Sequence, residues 1–305
     1  MKEYLLKVAP EFSGKRLDLF LISALKTREP GLSRTAVQKI ILEGKAYLGG
    51  IENTKPHHKV KENDEIKVVI EDKKECGIKA EDIMLDVIYE DEDVAVVNKG
   101  VGLVVHPAPG NFEHTLVNAL LHRFKKISDV NPGRPGIVHR LDKETSGLLV
   151  IAKNNASHLH LAEQFAKHSI ERKYVAVVSG RTEFDEHVIE ASIGRHPFKR
   201  TNMSVSFSEN SKYARTHYRT LKRSASFSLL ELMPFTGRTH QLRVHLAFIG
   251  HPILGDVKYG KKGAYERMFL HAKEIGFIHP RTGKLVKFST NIPEEFLALF
   301  NKEKT

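Results

Sequence analysis

The chain has 305 residues, more than one compact domain usually contains, so two domains and at least one sizeable core are expected. Its formal net charge of +11 and its pI of about 9.5 favour a polyanionic partner, because cationic side chains that bind a nucleic acid release its counterions. An anionic membrane would satisfy the same charge. The sequence has no apolar run long enough to span a bilayer and no basic amphipathic segment, so a nucleic acid is preferred and no membrane partner is expected.

The compartment is predicted from the cysteine count and the first residues. The single cysteine, Cys76, cannot form an internal disulfide, and the start MKEYLLKVAP lacks the basic, apolar and small-residue order of a secretory signal. We therefore expect a cytoplasmic protein, and we expect it to be a monomer.

Residues 1–72 predict a small N-terminal α/β domain. An apolar stripe indicates a helix over Arg16 to Lys26, and Ser33 is a suitable N-cap for a second helix that ends before Gly44. Strands are predicted at 45–48 and at the alternating segment 65–70. The charged residues 73–84 are predicted to be a linker.

Residues 85–305 predict a larger domain that is rich in strands. Strands are expected at 87–89, 94–97, 148–152, 174–178, 187–193, 214–221 and 227–232, and helices at 115–124, 157–168 and 239–249. Strands in runs, with few regularly alternating helices, indicate an α+β fold with a mostly antiparallel mixed sheet.

One carboxylate, Asp142, lies in a short polar loop between two apolar runs. Ile137 and Val138 are predicted to end one strand, and residues 148–152 form the next, so the loop is held at both ends by core. A loop held in this way can aim a reactive group, although a surface turn whose aspartate bonds to its own backbone is an open alternative.

Several motifs follow one another in the larger domain. They are Asn98-Lys99 with 102–107 (GLVVHP), 139–147 (HRLDKETSG), 171–176 (ERKYVA), 237–245 (GRTHQLRVH), 250–256 (GHPILGD) and Tyr259-Gly260. In this order they resemble the motifs of the RluA-type pseudouridine synthases, enzymes that isomerise uridine within folded RNA. Gly100 stands where that family usually has proline, so we expect a looser turn there.

The resemblance implies a catalytic role for three residues. Asp142 corresponds to the family's catalytic carboxylate, which acts as a nucleophile at the sugar or the base, or as the base that begins a glycal route. Arg243 is expected to pair with Asp142 and favour its ionised form. Tyr174 is expected to stack on the uracil and to place its hydroxyl for proton transfer. Without the resemblance, Arg243 would be read as a surface arginine and Tyr174 as a core aromatic.

The same resemblance implies residues that contact structured RNA. Arg140 matches an arginine that helps to flip the target base out of its helix, and His139 and Lys99 are grouped with it as RNA-binding residues. The N-terminal domain resembles the small RNA-binding domain first known from small-subunit ribosomal protein four, which implies RNA contacts for Arg16, Ser33 and Arg34. A generic helical cap is the alternative for this domain.

No metal and no cofactor are inferred from the sequence. His240 and His245 are five residues apart, which does not place them on one helix face as an i, i+4 pair would be placed. The chain has no HExxH, no complete dinucleotide fingerprint and no GxxxxGK[ST] phosphate loop.

Three functions therefore compete. The first is a pseudouridine synthase that acts on structured RNA, with large-subunit ribosomal RNA preferred and transfer RNA as the alternative. The second is a noncatalytic RNA-binding or ribosome-assembly protein of the same fold, which need not keep Asp142, Tyr174 and Arg243 together. The third is a glycosidase, which commonly needs a second carboxylate, and Glu144 is the nearest candidate.

Overall fold

The computed structural model describes residues 2–302, apart from 27, 30, 31, 33, 54, 71–76, 109, 200, 262 and 264. Ser33, Cys76 and the first part of the predicted linker thus lie outside the described residues. The chain forms two compact units, 1–77 and 78–305, and the division falls within the predicted linker.

The second part of the predicted linker is structured, which corrects the prediction for residues 78–84. Ile78 packs against the core of the second unit. The Glu81 N–H donates to the Asn118 carbonyl at 3.0 Å, and the Asn118 side chain donates to the Lys79 carbonyl at 2.8 Å. These bonds attach the segment to the second unit, although its charged composition suggested a free linker.

The first unit is a four-stranded antiparallel sheet, in the order β1-β4-β2-β3, with two helices packed on it. Its elements are β1 (Lys2–Lys7), α1 (Leu17–Leu25), α2 (Arg34–Leu42), β2 (Ala46–Leu48), β3 (Ile51–Glu52) and β4 (Glu65–Ile70). Both predicted helices and the two predicted strands are present. The sequence analysis missed β1 because its face is incompletely buried, with Leu5 exposed.

The second unit is built on one nine-stranded sheet in the order β5-β6-β7-β14-β8-β13-β12-β9, with β15 paired to β14. Its strands, together with those of a separate hairpin made by β10 and β11, are β5 (Asp86–Glu90), β6 (Val94–Lys99), β7 (Ser146–Ala152), β8 (Glu171–Ser179), β9 (Glu186–Glu190), β10 (Ile193–Arg195), β11 (Met203–Val205), β12 (Arg215–Arg223), β13 (Phe227–Pro234), β14 (Leu270–Ile278) and β15 (Leu285–Ser289). In the large sheet, β7 and β14 pair in parallel and the other neighbours are antiparallel. The predicted mostly antiparallel mixed sheet is therefore confirmed.

Four helices accompany this sheet. They are α3 (Leu116–Arg123), α4 (Asn155–Ala166), α5 (Gln241–Phe248) and α6 (Glu294–Lys302). The first three were predicted, within a few residues at each end. No helix among the described residues is long and apolar enough to cross a membrane.

Two predicted strand segments are wrong. Ile137 makes only a single bridge, to Ile151, and Val138 already belongs to an irregular segment. The predicted strand 187–193 is divided, because Ile193 leaves the large sheet to pair with Val205 in the small hairpin.

Strands β6 and β7 are packed on both faces in the second unit. Alternate residues of these strands pack against α3 on one face, as with Val97, and against α4 on the other, as with Val96. All seven residues of β7 are buried. The loop that carries Asp142 therefore enters a fully packed strand.

Candidate active site

Asp142 lies in a loop of residues 138–145, here called the Asp142 loop, which leads directly into β7. Its carboxylate is 22% exposed, so a ligand can still reach it. The Thr145 N–H donates to the Asp142 carbonyl at 3.1 Å, which closes a turn around the aspartate. The side chain itself is left to interact with other elements.

His139 anchors the start of the Asp142 loop. Its Nε2 accepts a hydrogen bond from the Val150 N–H at 3.1 Å, and its ring stacks on Phe165 of α4 with 4.5 Å between centroids. Burial, with a further contribution from the charge of Arg172, lowers the pKa of His139 to about 3, so the imidazole is neutral. These contacts support a structural role for His139, and the predicted contact with RNA stays a prediction.

Lys99 holds the Asp142 loop from the opposite side. It is only 2% exposed, and its Nζ donates to the carbonyls of Gly100 at 2.8 Å and Lys143 at 3.0 Å. Burial lowers its pKa to about 8, although the charges of Glu144 and Asp142 oppose the shift. These contacts support a role for Lys99 in positioning the loop, and its predicted contact with RNA stays a prediction.

The turn after Gly100 is also bonded to the Asp142 loop. The Gly102 N–H donates to the Lys143 carbonyl at 2.9 Å. A Cβ at Gly100 would meet no atom within 4 Å. The glycine is therefore not required by close packing.

Gly147, the second residue of β7 after the Asp142 loop, does require glycine. Its φ is +112°, and a Cβ built there would lie 2.3 Å from the Ala272 carbonyl oxygen of β14. An L side chain would meet both a backbone strain and a backbone clash. The last glycine of the HRLDxxTSG pattern thus lets the start of β7 pair directly with β14.

Arg243 of α5 joins Asp142 to a second carboxylate. Its Nη1 donates to Asp142 Oδ2 at 2.9 Å, while its Nε and Nη2 donate to the two oxygens of Asp256 at 2.7 and 2.8 Å. Burial alone would lower the pKa of Arg243, but the hydrogen bonds and charges of Asp256 and Asp142 raise it. The guanidinium is therefore a fixed cation beside Asp142.

Asp256 is the residue that orients Arg243. It is fully buried and also accepts the backbone N–H groups of Lys258 and Tyr259 at 2.9 and 3.1 Å. Burial would raise the pKa of Asp256, but the bonds from Arg243 and from these N–H groups hold it below its usual value. The sequence analysis missed this role, although Asp256 ends the GHPILGD motif.

His240 is a second residue that the sequence analysis did not select for the site. It precedes α5 with a left-handed φ of +55°, its Nδ1 lies 2.7 Å from the Tyr259 hydroxyl, and its Nε2 lies 3.8 Å from Asp142 Oδ2. Tyr259 Oη also accepts the Met203 N–H at 2.9 Å, so its own proton is available to Nδ1. Burial lowers the pKa of His240, although the charge of Asp142 opposes the shift, so a neutral imidazole lies between Asp142 and Tyr259.

Tyr174 forms one wall of a cavity of about 510 Å³ that contains Asp142. The tyrosine lies on β8. It packs against two groups of core residues, one that includes β8 and β13 and one that includes β6, β7 and α3. Burial raises its pKa, so the phenol keeps its proton at neutral pH. The hydroxyl makes no hydrogen bond to a residue that the structure describes.

The cavity is strongly basic. The residues that line it include four arginines and a single carboxylate, that of Asp142. The arginines are Arg140, Arg172, Arg238 and Arg243. Arg140 is exposed and Arg243 is buried against Asp142, so positive charge extends from the protein surface to the carboxylate. Such a cavity suits an anionic ligand that brings an electrophilic group to Asp142.

In the first unit, Arg16 and Arg34 are brought together around Asp18. Both donate to the carboxylate, Arg16 at 3.0 Å and Arg34 at 3.2 Å, and Gln38 donates at 2.7 Å. The two guanidinium groups remain about half exposed, while Asp18 is fully buried. The predicted pair of RNA-binding arginines thus forms one cluster.

One group of described residues has a spacing that could hold a metal ion, namely Asp91, Asp93 and His279. His279 Nε2 lies 2.7 Å from Asp91 Oδ2, and Arg281 pairs with Asp93 at 2.5 Å. These carboxylates are already bonded to cationic or N–H groups, and the cluster is not part of the cavity around Asp142.

Comparisons with known proteins show which family the chain is similar to. A family model described as RNA pseudouridylate synthase matches residues 93–248, which include Asp142, Tyr174 and Arg243. The uncharacterized RNA pseudouridine synthase YlyB of Bacillus subtilis is 41% identical over 302 residues, 98% of this chain and 97% of the relative. Ribosomal large subunit pseudouridine synthase D of Zymomonas mobilis is 43% identical over 303 residues, 95% and 94% of the two chains. The solved structure of human RNA pseudouridylate synthase domain containing 1 has a TM-score of 0.58 and 29% identity over 69% of this chain and 84% of that one.

Proposed function

The chain belongs to the RNA pseudouridine synthase family, and we propose that it isomerises specific uridines of large-subunit ribosomal RNA with Asp142 as its catalytic carboxylate. The observation that carries this proposal is the placement of Asp142. It is the one carboxylate lining a basic cavity among the described residues, and it is paired there with a buried arginine.

The proposed chemistry begins at the carboxylate of Asp142. Isomerisation breaks the bond between N1 of uracil and C1′ of ribose, rotates the base, and joins C5 to C1′. The C5 proton is lost, and N1 gains a proton in its place. Asp142 serves as a nucleophile at the sugar or the base, or as the base that begins a glycal route. Arg243 keeps a positive charge beside the carboxylate through each of these routes, because Asp256 prevents it from turning away.

Tyr174 and Arg140 are proposed to contact the target base or take its place in the RNA helix. The proposed stacking of the Tyr174 ring on a uracil is supported by its place in the cavity wall, and its raised pKa leaves the hydroxyl protonated for transfer to or from the base. Arg140, at the exposed side of the Asp142 loop, is proposed to occupy the space left by the flipped base. Flipping costs a few kcal/mol, which contacts of this kind must offset.

Ribosomal RNA is proposed as the substrate because of the relatives that cover most of the chain. Proteins of Zymomonas mobilis and Escherichia coli with 43% and 39% identity carry the name ribosomal large subunit pseudouridine synthase D. The first unit, with its exposed Arg16 and Arg34, is proposed as an additional RNA contact. This substrate agrees with the expected cytoplasmic location.

The lining of the cavity also bears on the glycosidase alternative. Two carboxylates are usual in that chemistry, whereas Glu144 does not line the cavity and its charge acts on Lys99. The presence of Asp142, Tyr174 and Arg243 around one cavity likewise argues against a noncatalytic protein.

The proposal is tested with purified protein and RNA transcripts that contain 5-tritiated uridine. Release of tritium to water is expected from large-subunit ribosomal RNA and not from transfer RNA. Tritium release from transfer RNA alone would show that transfer RNA, and not ribosomal RNA, is the substrate. Formation of free uracil in place of pseudouridine would show that the protein is a hydrolase.

A further inference from the structure

Arg172 is a second guanidinium in the cavity, separate from the pair of Arg243 and Asp142. It lies two residues before Tyr174 on β8, so both side chains leave the same face of the strand and line the cavity. Its charge lowers the pKa of His139, after the larger effect of burial, and opposes the rise in the pKa of Tyr174. Arg172 therefore lies close to the residues that surround the proposed uracil.

The hydrogen bonds of Arg172 are unusually incomplete. Its Nε is buried and has no hydrogen-bond partner, and its Nη2 makes one long bond of 3.4 Å to the Pro234 carbonyl. No carboxylate within the described part of the chain forms an ion pair with it, and its neighbour Glu171 pairs with Lys287. A partly buried cation without an anion is unfavourable unless a ligand supplies one.

Two of the other three cavity arginines, Arg238 and Arg243, have partners that Arg172 lacks. Arg243 is bonded to two carboxylates, and Arg238 donates its Nε to the Tyr213 carbonyl at 3.0 Å. Space for the Arg172 side chain is provided by Gly237, where a Cβ would lie 3.1 Å from Nη1. The glycine that opens the GRTHQLRVH motif thus leaves room for a guanidinium whose Nε has no hydrogen-bond partner.

We propose that Arg172 is a substrate-binding residue that pairs with a backbone phosphate next to the target uridine. This inference rests on the proposed function, since it assigns a contact of the same site. Phosphates are the only anions that RNA carries, and a guanidinium binds a phosphate through two parallel N–H donors. The Arg172 contact would fix the strand beside Tyr174 while Asp142 and Arg243 act on the nucleotide.

The experiment removes the positive charge of Arg172 and the negative charge of a single backbone phosphate, separately and together. The RNA is the shortest fragment of large-subunit ribosomal RNA that the wild-type protein modifies, with the phosphates around the target uridine replaced one at a time by uncharged methylphosphonates. Dissociation constants are measured for the wild type, Arg172→Met and Arg172→Lys. Lys173→Met serves as the matched control, because Lys173 lies on the opposite face of β8 and pairs with Glu274.

For the wild type, one methylphosphonate is expected to weaken binding about ten- to hundredfold. Arg172→Met should show the same loss with unmodified RNA and no further loss with that methylphosphonate, Arg172→Lys should be intermediate, and Lys173→Met should bind normally. Circular dichroism confirms that each variant is folded.

Two results would overturn the proposal while the wild type remains active. If Arg172→Met binds RNA as the wild type does, Arg172 makes no contact with the substrate. If it binds weakly but stays as sensitive as the wild type to every methylphosphonate, its partner is not a phosphate and a uracil carbonyl takes that place. A wild-type protein that modifies no RNA would instead reject the proposed function.

Discussion

At the scale of single residues, the site depends on side chains that keep Asp142 and Arg243 in place. Asp142 and Arg243 are separated by 101 positions in sequence, and they meet because the Asp142 loop and α5 face the same cavity. Motifs in the sequence identified both residues. Motifs did not show that Asp256 fixes Arg243 or that His240 approaches Asp142, because these contacts follow from tertiary structure.

Arg243→Ala is expected to lower kcat/KM by roughly 10²- to 10³-fold, because the variant loses the fixed cation beside Asp142. Arg243→Lys should retain part of the activity, since it keeps the charge and loses the planar fork that bonds to Asp256. Tritium release under single-turnover conditions measures both. If both variants react at the wild-type rate, Arg243 has no role in the reaction.

Tyr174→Phe separates stacking from proton transfer. RNA affinity should change little, because the ring is kept, whereas the rate of product formation should fall by roughly 10²- to 10⁴-fold. The hydroxyl has no hydrogen bond to the described residues, so its removal should not destabilise the fold. Binding and rate are measured on the same preparation, and loss of folded protein would indicate that Tyr174 acts mainly as a core residue.

At the scale of elements, the cluster around Asp18 joins the start of α1 to the start of α2. Burial would raise the pKa of Asp18, but the hydrogen bonds from Arg16, Gln38 and Arg34 lower it from 3.8 to about 2. The unfolded chain, with the higher pKa, binds the proton more readily. This carboxylate therefore stabilises the first unit above a pH of about 4, and the contribution is lost as the pH falls toward 2.

Asp18→Asn is expected to destabilise the first unit by about 1–3 kcal/mol at neutral pH, because the buried ion pairs and a strong acceptor are lost. Hydrogen exchange of the α1 amides measures the effect in the full chain. The difference in stability between the variant and the wild type should shrink below a pH of about 4, where the ionised Asp18 of the wild type begins to contribute less stability. A difference that is constant with pH would contradict the assigned pKa shift.

Sequence patterns located most elements and explain which ones were missed. Helices such as α3 and strands such as β4 have clear apolar periods, so they were predicted with small errors at their ends. Strand β1 was missed because its face is weakly buried and gives a weak apolar alternation. The segment around Ile137 was predicted as a strand although it pairs at a single bridge, because its apolar residues resemble those of a strand. The parallel contact between β7 and β14 joins segments more than 120 residues apart and has no local signal.

At the scale of the whole molecule, the chain divides into two units at residues 77 and 78, which allows the units to be tested separately. Deleting residues 1–77 should leave a folded second unit with weaker RNA binding. The salt dependence of binding should also be smaller, by a slope of roughly 1–2 if Arg16 and Arg34 each contact a phosphate.

Affinity measured against salt concentration tests this prediction, with circular dichroism as the control for folding. The full chain carrying Arg16→Met and Arg34→Met is the matched variant, and it should reproduce the change in slope. Equal affinities and slopes for all three proteins would show that the first unit does not bind RNA.

The central claim is that this chain makes pseudouridine in large-subunit ribosomal RNA through Asp142. The most direct measurement maps pseudouridines in ribosomal RNA from cells that lack the protein and from the same cells supplied with the wild type or with Asp142→Asn. We predict that specific pseudouridines are absent without the protein, return with the wild type, and stay absent with Asp142→Asn, although the variant accumulates as folded protein. Restoration of those pseudouridines by Asp142→Asn, or an unchanged map in cells without the protein, would contradict the claim.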